Sequence, residues 1–178
     1  MNMKRILTIA FYILSLVPAL KAQSDPLTGA NEKYKAGDLD GARALIDQAV
    51  KDPALARSPE VWVLRGFIYK DLYKASSAAG ADDVLRDEAL ASLYTAMRTD
   101  TAKQFTGSSR PAYDYLSKTI FNDAVHALSA LDPDRAIALY AKYKESVLRL
   151  APDSSLVKSD IDFDNALGTV YVKLFDKE

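Results

Sequence analysis

Apolar side chains recur at intervals of three and four residues along most of the chain, which is the spacing of one face of an α-helix. The clearest stretches span residues 59–77, 82–98, 111–131, 133–150 and 161–174. In the first of them, Val61, Leu64, Ile68 and Leu72 follow this spacing. No short run alternates between apolar and polar residues as a half-buried strand does. The pattern therefore predicts an all-α protein.

Turn signals separate these stretches. Ser58 and Pro59 are typical of a helix N-cap and first helical position. A small-residue turn is predicted at 79–81, a polar loop at 99–109, a break at Asp132 and Pro133, and a further turn at 151–155. The resulting order is helix, turn, helix throughout. An amphipathic helix pair cannot bury its apolar face alone, so we expect consecutive pairs to stack on one another.

An internal repeat with a period of 47 residues relates segments 41–50, 88–97 and 135–144. Each copy has a small residue first, a large apolar residue four positions later, and a small or aromatic residue three positions after that. A small residue on a helix face lets the neighbouring helix approach closely, and the large residue fills the space beside it. The three copies are Ala42, Ile46 and Ala49; Ala89, Leu93 and Ala96; and Ala136, Tyr140 and Tyr143.

The spacing of Trp62, Gly66 and Tyr69 resembles the first helix of a tetratricopeptide repeat, and Gly168 with Tyr171 matches the end of the same helix. Gly37 and the repeat alanines resemble the second helix. The resemblance implies a short α-solenoid over residues 23–178, with about three helix pairs and a terminal helix. The packing positions it implies are Ala42, Ile46, Ala49, Trp62, Gly66, Tyr69, Ala89, Leu93, Ala96, Ala136, Tyr140, Gly168 and Tyr171.

Two features depart from that family. The period of 47 residues exceeds the family norm of about 34 and also suits a HEAT-like repeat, so another helical repeat or bundle remains an alternative. The chain also ends soon after a first-helix pattern. Either the last helix is the terminal cap that a solenoid needs, or the sequence is part of a longer repeat protein.

The first 22 residues are typical of a secretory signal peptide. Lys4 and Arg5 precede an apolar run at residues 6–17, and Ala22 supplies a small residue at the expected cleavage point. The run is shorter than the roughly 20 residues of a membrane span, although an uncleaved N-terminal anchor is the alternative. We therefore expect an exported protein, periplasmic or secreted in a Gram-negative bacterium, with no stable membrane insertion after cleavage.

The composition limits the kinds of chemical site that the chain can contain. The chain has no cysteine, and its only histidine is His126, so disulfides and thiolate or histidine-rich metal sites are excluded. Removing residues 1–22 takes away three of the 23 basic residues and none of the 24 acidic ones, which leaves a net charge of −4. This balance gives no electrostatic basis for nucleic-acid binding. No cofactor is predicted.

Two patterns of acidic residues resemble chemical sites. Asp123 and His126 are three residues apart on a helix and can form an acid–base pair, although a partly exposed histidine is the simpler interpretation. Asp160, Asp162 and Asp164 alternate as calcium ligands do. The glycine and the closing glutamate of a calcium loop are missing, which favours a solvated first helical turn. Neither pattern supports an enzyme or a metal site.

The resemblance also implies a partner-binding groove lined by first-helix residues. The candidates are Arg65, Lys70, Tyr73, Tyr113 and Lys118, with Lys74 and Tyr115 beside them. Tyrosine suits interfaces because its ring is apolar and its tip polar, and the lysines suit an acidic or C-terminal peptide. We therefore predict a non-enzymatic protein–protein scaffold of the cell envelope. The alternative is a carbohydrate- or small-ligand-binding accessory protein of an outer-membrane import system, which requires exposed aromatic rings.

Overall fold

The computed structural model describes residues 25–76 and 83–176. Over these ranges the chain forms seven α-helices and one short 3₁₀ turn, and no strand. The all-α prediction is therefore confirmed. The predicted turn at 79–81 and the predicted signal peptide lie outside the described residues. The helices are α1 Pro26–Lys35, α2 Leu39–Ala49, α3 Pro59–Ser76, α4 Asp83–Thr99, α5 Thr106–Ser129, α6 Pro133–Leu150 and α7 Val157–Phe175, with the 3₁₀ turn at Leu55–Arg57.

The turn between the first two helices recurs between the fifth and sixth. Gly37 ends α1 with a φ of 78°, and Asp38 then accepts a hydrogen bond from the Gly41 backbone N–H at 2.9 Å to cap α2. Two repeat periods later, Leu131 has a φ of 59° and Asp132 caps α6. Both turns close with the hydrogen bonds of a glycine-type C-cap. The sequence repeat is thus also a repeat of backbone conformation.

Helix α5 begins at Thr106, five residues before the predicted start. The Asp100 carboxylate accepts hydrogen bonds from the backbone N–H groups of Gln104, Phe105 and Thr106, at 2.9, 2.7 and 2.8 Å. These bonds order the second half of the predicted loop and satisfy donors that a helix N-terminus leaves free. Pro111 lies inside the helix as a result. It is exposed, so the carbonyl that it leaves without a helical donor can bond water.

Two apolar clusters form the core. The smaller one lies between α1, α2 and α3 and contains Ala30, Ala42, Ile46, Ala49, Val61 and Ile68. The larger one extends from α3 through α7. Ala42, Ala89 and Ala136, which occupy one position of the sequence repeat, are all fully buried. Consecutive helices pack on one another along the chain, an arrangement compatible with a helical repeat.

The glycine of the first-helix pattern has opposite surroundings in α3 and α7. A Cβ placed on Gly66 would lie 2.6 Å from the Leu93 Cγ, so α3 and α4 pack with their backbones close together. A Cβ on Gly168 would meet nothing within 4 Å, and Tyr171 is 49% exposed. Gly168 and Tyr171 therefore do not pack against a helix, contrary to expectation. The reason is that, within the described residues, no helix follows α7 to cover that face.

Candidate partner-binding face

Helices α1, α3, α5 and α7 lie side by side in chain order, and α2, α4 and α6 pack against them. We call the surface formed by α1, α3, α5 and α7 the first-helix face. It contains two apolar clefts, one at each end. Each cleft lies between two helices and is not formed by loops. The opposite sides of these helices are buried in the core.

The first cleft lies between α5 and α7 and has a volume of about 490 Å³. Phe121 and Val125 of α5 form one wall, and Ala166 and Thr169 of α7 form the other. Val125 is 41% exposed at the rim. The spacing of Phe121 and Val125 is one helical turn, so one α-helix supplies the apolar wall in a fixed geometry.

The second cleft lies between α1 and α3 and has a volume of about 450 Å³. Leu27 and Asn31 of α1 face Val63 and Phe67 of α3 across it. Tyr34 closes one end, and its hydroxyl donates a 2.6 Å hydrogen bond to the Asp71 carboxylate. This bond and burial raise the pKa of Tyr34, burial being the larger cause. Lys35 and Glu60 also line it, so the cleft is mainly apolar with charged groups at its edge.

Basic and aromatic groups lie between the two clefts. The Lys70 ammonium lies 5.1 Å from the centre of the Phe67 ring, and the Lys74 ammonium lies 6.0 Å from the centre of the Tyr115 ring. Tyr115 is exposed on α5. Lys118 is also exposed, and it lies seven residues before Val125 on the same side of α5. The Lys70 side chain, by contrast, is only 16% exposed and its ammonium pairs with Asp71 at 2.7 Å, so it is not displayed as a groove residue should be.

Two of the predicted groove tyrosines are buried instead. Tyr73 is 4% exposed and Tyr113 is 1% exposed. The Tyr113 hydroxyl donates a 2.9 Å hydrogen bond to the Ser146 carbonyl of α6, and burial raises the pKa of Tyr113 to about 12. The Tyr73 hydroxyl accepts a bond from Arg86 at 3.2 Å. Both rings point to the second helices, so this corrects the expectation that they line an open groove.

Arg65, the remaining predicted groove residue, connects three helices. Its guanidinium pairs with Asp47 of α2 at 3.0 Å and with Glu88 of α4 at 2.8 Å. It also donates to the Ser92 hydroxyl at 2.7 Å and lies 4.3 Å from the centre of the Tyr69 ring. Its side chain is largely buried by these contacts. Arg65 therefore fixes the packing of α2, α3 and α4, and it is not displayed to a partner.

Tyrosine–aspartate hydrogen bonds join helices at several places, which the sequence did not reveal. Besides Tyr34, the Tyr69 hydroxyl donates to Asp47 at 2.7 Å, and the Tyr140 hydroxyl donates to Asp160 at 3.0 Å. The partners are too far apart in sequence for a spacing pattern to have indicated them. Hydrogen bonds to charged acceptors are stronger than neutral ones, so these tyrosines join helices.

Arg86 is a fully buried cation that the sequence also did not single out. It pairs with Asp83 of its own helix and with Asp123 of α5. Its guanidinium also donates to Thr119 at 3.3 Å. Nothing in the order of residues marks it, because its neighbours in α4 resemble those of any amphipathic helix.

The two acidic patterns have structural roles. The Asp123 carboxylate accepts from Arg86, while His126 is exposed one turn away. Asp160 lies in the continuous helix α7 and pairs with Lys144 at 2.8 Å. Hydrogen bonding to Lys144, the largest cause, holds the pKa of Asp160 below its usual value. Within residues 25–76 and 83–176, no group of three acidic or histidine side chains can hold a metal ion.

The fold and this face define an all-helical protein whose consecutive helices stack and whose first helices form one exposed side. Comparison with protein-family models, with curated proteins and with solved structures gave no match. Among the helices that the structure describes, none is both long and apolar enough to cross a membrane.

Proposed function

We propose that this protein is a non-enzymatic scaffold, similar to tetratricopeptide repeat proteins, that binds a protein or peptide on its first-helix face. The observation that carries the proposal is the pair of apolar clefts at the two ends of that face. Each lies between helices held rigid by the core, and rigid apolar clefts receive the anchoring side chains of a partner. Among the buried polar side chains, Arg86, Tyr73 and Tyr113 form hydrogen bonds to other helices, so they are not displayed to a partner.

The partner that suits this face is a segment with two apolar anchors and acidic residues between them. Lys74 and Lys118 are exposed between the clefts and would face such acids, whereas the Lys70 ammonium is already paired with Asp71 at 2.7 Å. Charge complementarity of this kind raises association rates and selects among partners more than it adds affinity. Helical repeat surfaces bind extended or helical segments in this way.

The proposed location is the cell envelope, periplasmic or secreted. The support is the signal-peptide pattern of residues 1–22. Expressed in a Gram-negative host, the chain should be recovered from the periplasm with Gln23 as its first residue, which intact-mass measurement checks. Full-length protein of 19.5 kDa in the cytoplasm would contradict the proposal.

The alternative, a carbohydrate- or small-ligand-binding accessory protein, needs flat aromatic rings open to solvent. Trp62 is half-buried, and its indole N–H donates a 2.8 Å hydrogen bond to the Ala56 carbonyl. That bond uses the polar group of the ring and attaches it to the turn before α3. Tyr115, Tyr171 and Phe175 are exposed, but none of these rings lines either cleft, so the clefts favour the scaffold.

The test is capture of a partner from envelope extract by the mature chain, with Val125→Arg as the blocking variant. A charged side chain at the rim of the α5–α7 cleft would occupy it and expose any apolar anchor to a cation. Val125 is 41% exposed, so the substitution should leave the fold intact. Ile137→Arg is the matched control, because Ile137 is 42% exposed and lies on the other side of α7.

We expect Val125→Arg to weaken capture of the wild-type partner at least tenfold and Ile137→Arg to leave it unchanged. Circular dichroism of both variants establishes that they fold. Equal capture by all three proteins, or no partner for a well-folded wild type, would contradict the proposal.

A further inference from the structure

A pocket of about 260 Å³ lies between the second helices α4 and α6. Leu90 and Ala91 of α4 line one wall, and Ser146 of α6 lines the other. Tyr113 and Ile120 of α5 also line the pocket, and both are buried, so α5 forms its floor. The pocket is therefore bounded by three helices and has an apolar interior.

Contacts between α4 and α6 cross this pocket at both ends. At one end the Lys142 ammonium pairs with the Asp87 carboxylate at 2.7 Å. At the other end the Arg149 guanidinium carbon lies 5.4 Å from the centre of the Tyr94 ring. The two contacts are seven residues apart on each helix, which is about 10 Å along the axis. The space between them suits a small organic molecule, on the order of ten non-hydrogen atoms.

Both acids that line the pocket are already paired with cations that line it. Asp87 pairs with Lys142, as described, and the Glu145 carboxylate accepts a hydrogen bond from Arg149 at 2.8 Å. The cations keep donors in reserve, because an ammonium has three N–H groups and a guanidinium has five. The Glu145–Arg149 pair is exposed and lies within one helix, and pairs of this kind contribute little to stability. Arg149 can therefore exchange Glu145 for the carboxylate of a ligand.

A further cation lies near the Arg149 end of the pocket. The Arg98 guanidinium carbon is 5.8 Å from the centre of the Tyr94 ring, so two arginines lie close to that ring. Within the described parts of the chain, no carboxylate pairs with Arg98. The unpaired charge at this end of the pocket is thus positive, which favours an anionic ligand over a cationic one.

We propose that this pocket binds a small carboxylate with an apolar body. The carboxylate pairs with Arg149 close to Arg98, and the apolar body lies between Leu90 and Ile120. Arginine suits the first role because its planar fork can hold both oxygens of a carboxylate. A phenyl ring joined to a carboxylate by a short aliphatic chain has the length and polarity required, and 3-phenylpropionate is such a molecule.

This site is separate from the first-helix face, because none of its lining residues lines either of the two apolar clefts. The inference therefore does not rest on the proposed function. Carboxylate binding and partner capture are measured on different variants, so either proposal can fail alone.

Nuclear magnetic resonance titration of the ¹⁵N-labelled protein tests the proposal with three ligands that differ only in the head group: 3-phenylpropionate, 3-phenylpropanol and 3-phenylpropylamine. We expect saturable shifts of amides in α4 and α6, with a dissociation constant for the carboxylate of about 0.1–1 mM. The alcohol and the amine should bind roughly fivefold more weakly. Shifts confined to the first-helix clefts, no saturation below about 10 mM, or tightest binding of the amine would overturn the proposal.

Arg149→Gln tests the assignment of the head group, with Arg110→Gln as the matched control. Both arginines are exposed and pair with an acid four residues away in the same helix. We expect Arg149→Gln to weaken binding of 3-phenylpropionate roughly fivefold and to leave binding of 3-phenylpropanol unchanged. A merely structural role of Arg149 would weaken both ligands alike, and that result would contradict the assignment, as would equal weakening by Arg110→Gln.

Ala91→Trp tests the location of the site by filling the pocket. Ala91 is exposed at the rim, so the larger side chain should be accommodated without loss of the fold. Ala141→Trp is the matched control, because Ala141 is exposed on α6 and lines a different groove. We expect Ala91→Trp to abolish binding of all three ligands and Ala141→Trp to change none of them, with circular dichroism establishing that both variants fold. Undiminished binding by Ala91→Trp would overturn the proposal.

Discussion

Gly66 and Gly168 occupy the same position of the first-helix pattern, but their surroundings differ. At Gly66 the absent Cβ is replaced by Leu93, which is fully buried and therefore held in place. At Gly168 the same space is open. Glycine in a helix interior loses more backbone entropy on folding than any other residue, wherever in the helix it lies. Only at Gly66 does close packing within the chain offset that cost.

Alanine at these two positions should therefore have opposite effects. Gly66→Ala should lower the free energy of unfolding by about 1–3 kcal/mol, because a new methyl group overlaps a well-packed side chain. Gly168→Ala should raise it by about 0.5–1 kcal/mol through helix propensity. Urea unfolding of the two variants, followed by circular dichroism, measures both. The same sign for both would contradict this account.

The sequence predicted the burial of some residues, but it did not predict the burial of the tyrosines. The repeat alanines and Leu93 were identifiable because small and large residues alternate at a fixed period, and packing requires that alternation. Tyr73 and Tyr113 were not, because tyrosine is equally suited to an interface and to a core with a hydrogen-bond partner. Their partners, Arg86 and the Ser146 carbonyl, lie on the following helix in each case, 13 and 33 residues further along the chain, beyond the reach of a helical spacing pattern.

At the scale of elements, Arg86 of α4 is a polar contact among three helices. Its buried guanidinium bonds Tyr73 of α3 and the Asp123 carboxylate of α5. Replacing a buried ion pair with apolar groups is often neutral, but removing one partner leaves a charge without compensation. Removing one partner of this contact should therefore destabilise the fold far more than replacing both partners with apolar residues.

Arg86→Ala should lower the free energy of unfolding by about 3–5 kcal/mol, since it leaves the Asp123 carboxylate unpaired and opens a cavity. The double variant Arg86→Met with Asp123→Leu should recover most of that loss. Arg110→Ala, which removes an exposed pair with Asp114 in one helix, should cost at most about 0.5 kcal/mol. Chemical unfolding measures all three. A double variant no more stable than Arg86→Ala would contradict the argument.

Helix boundaries could likewise be predicted only where they depend on adjacent residues. The start of α6 at Pro133 was predictable, because Asp132 and proline are local signals that act on adjacent residues. The start of α5 was not, because one carboxylate, Asp100, orders the backbone four to six residues further on. The first-helix face was predicted through α3 and α5, but its two clefts depend on the packing of whole helices.

At the scale of the whole molecule, protonated tyrosines hold several helices together. The hydroxyl groups of Tyr34 and Tyr140 donate to carboxylates, and that of Tyr113 donates to a carbonyl. Burial is the largest cause that raises the pKa of each hydroxyl. An ionised tyrosine has no proton to donate, so each of these contacts is lost when the pH rises above the pKa of its hydroxyl group.

Stability should therefore fall on the alkaline side. In the unfolded chain, tyrosine ionises near pH 10, whereas Tyr113 keeps its proton to about pH 12 in the folded state. The stabilisation is complete below pH 10 and is lost as the pH rises through the folded pKa. A shift of about 2 pKa units corresponds to about 3 kcal/mol. Urea unfolding at several pH values should show this loss in the wild type and a smaller one in Tyr113→Phe. Parallel pH profiles would contradict it.

The parts of the molecule held by the two apolar clusters should differ in their free energy of local unfolding. The small cluster that holds α1 and α2 is half alanine, so it removes little apolar surface from water, while α3 also belongs to the larger cluster. Amide hydrogens in α1 and α2 should therefore exchange through local opening events that leave the rest folded. The α1–α3 cleft exists only when that part is closed. Any molecule bound there stabilises the first two helices by mass action, so occupancy and local folding are thermodynamically linked.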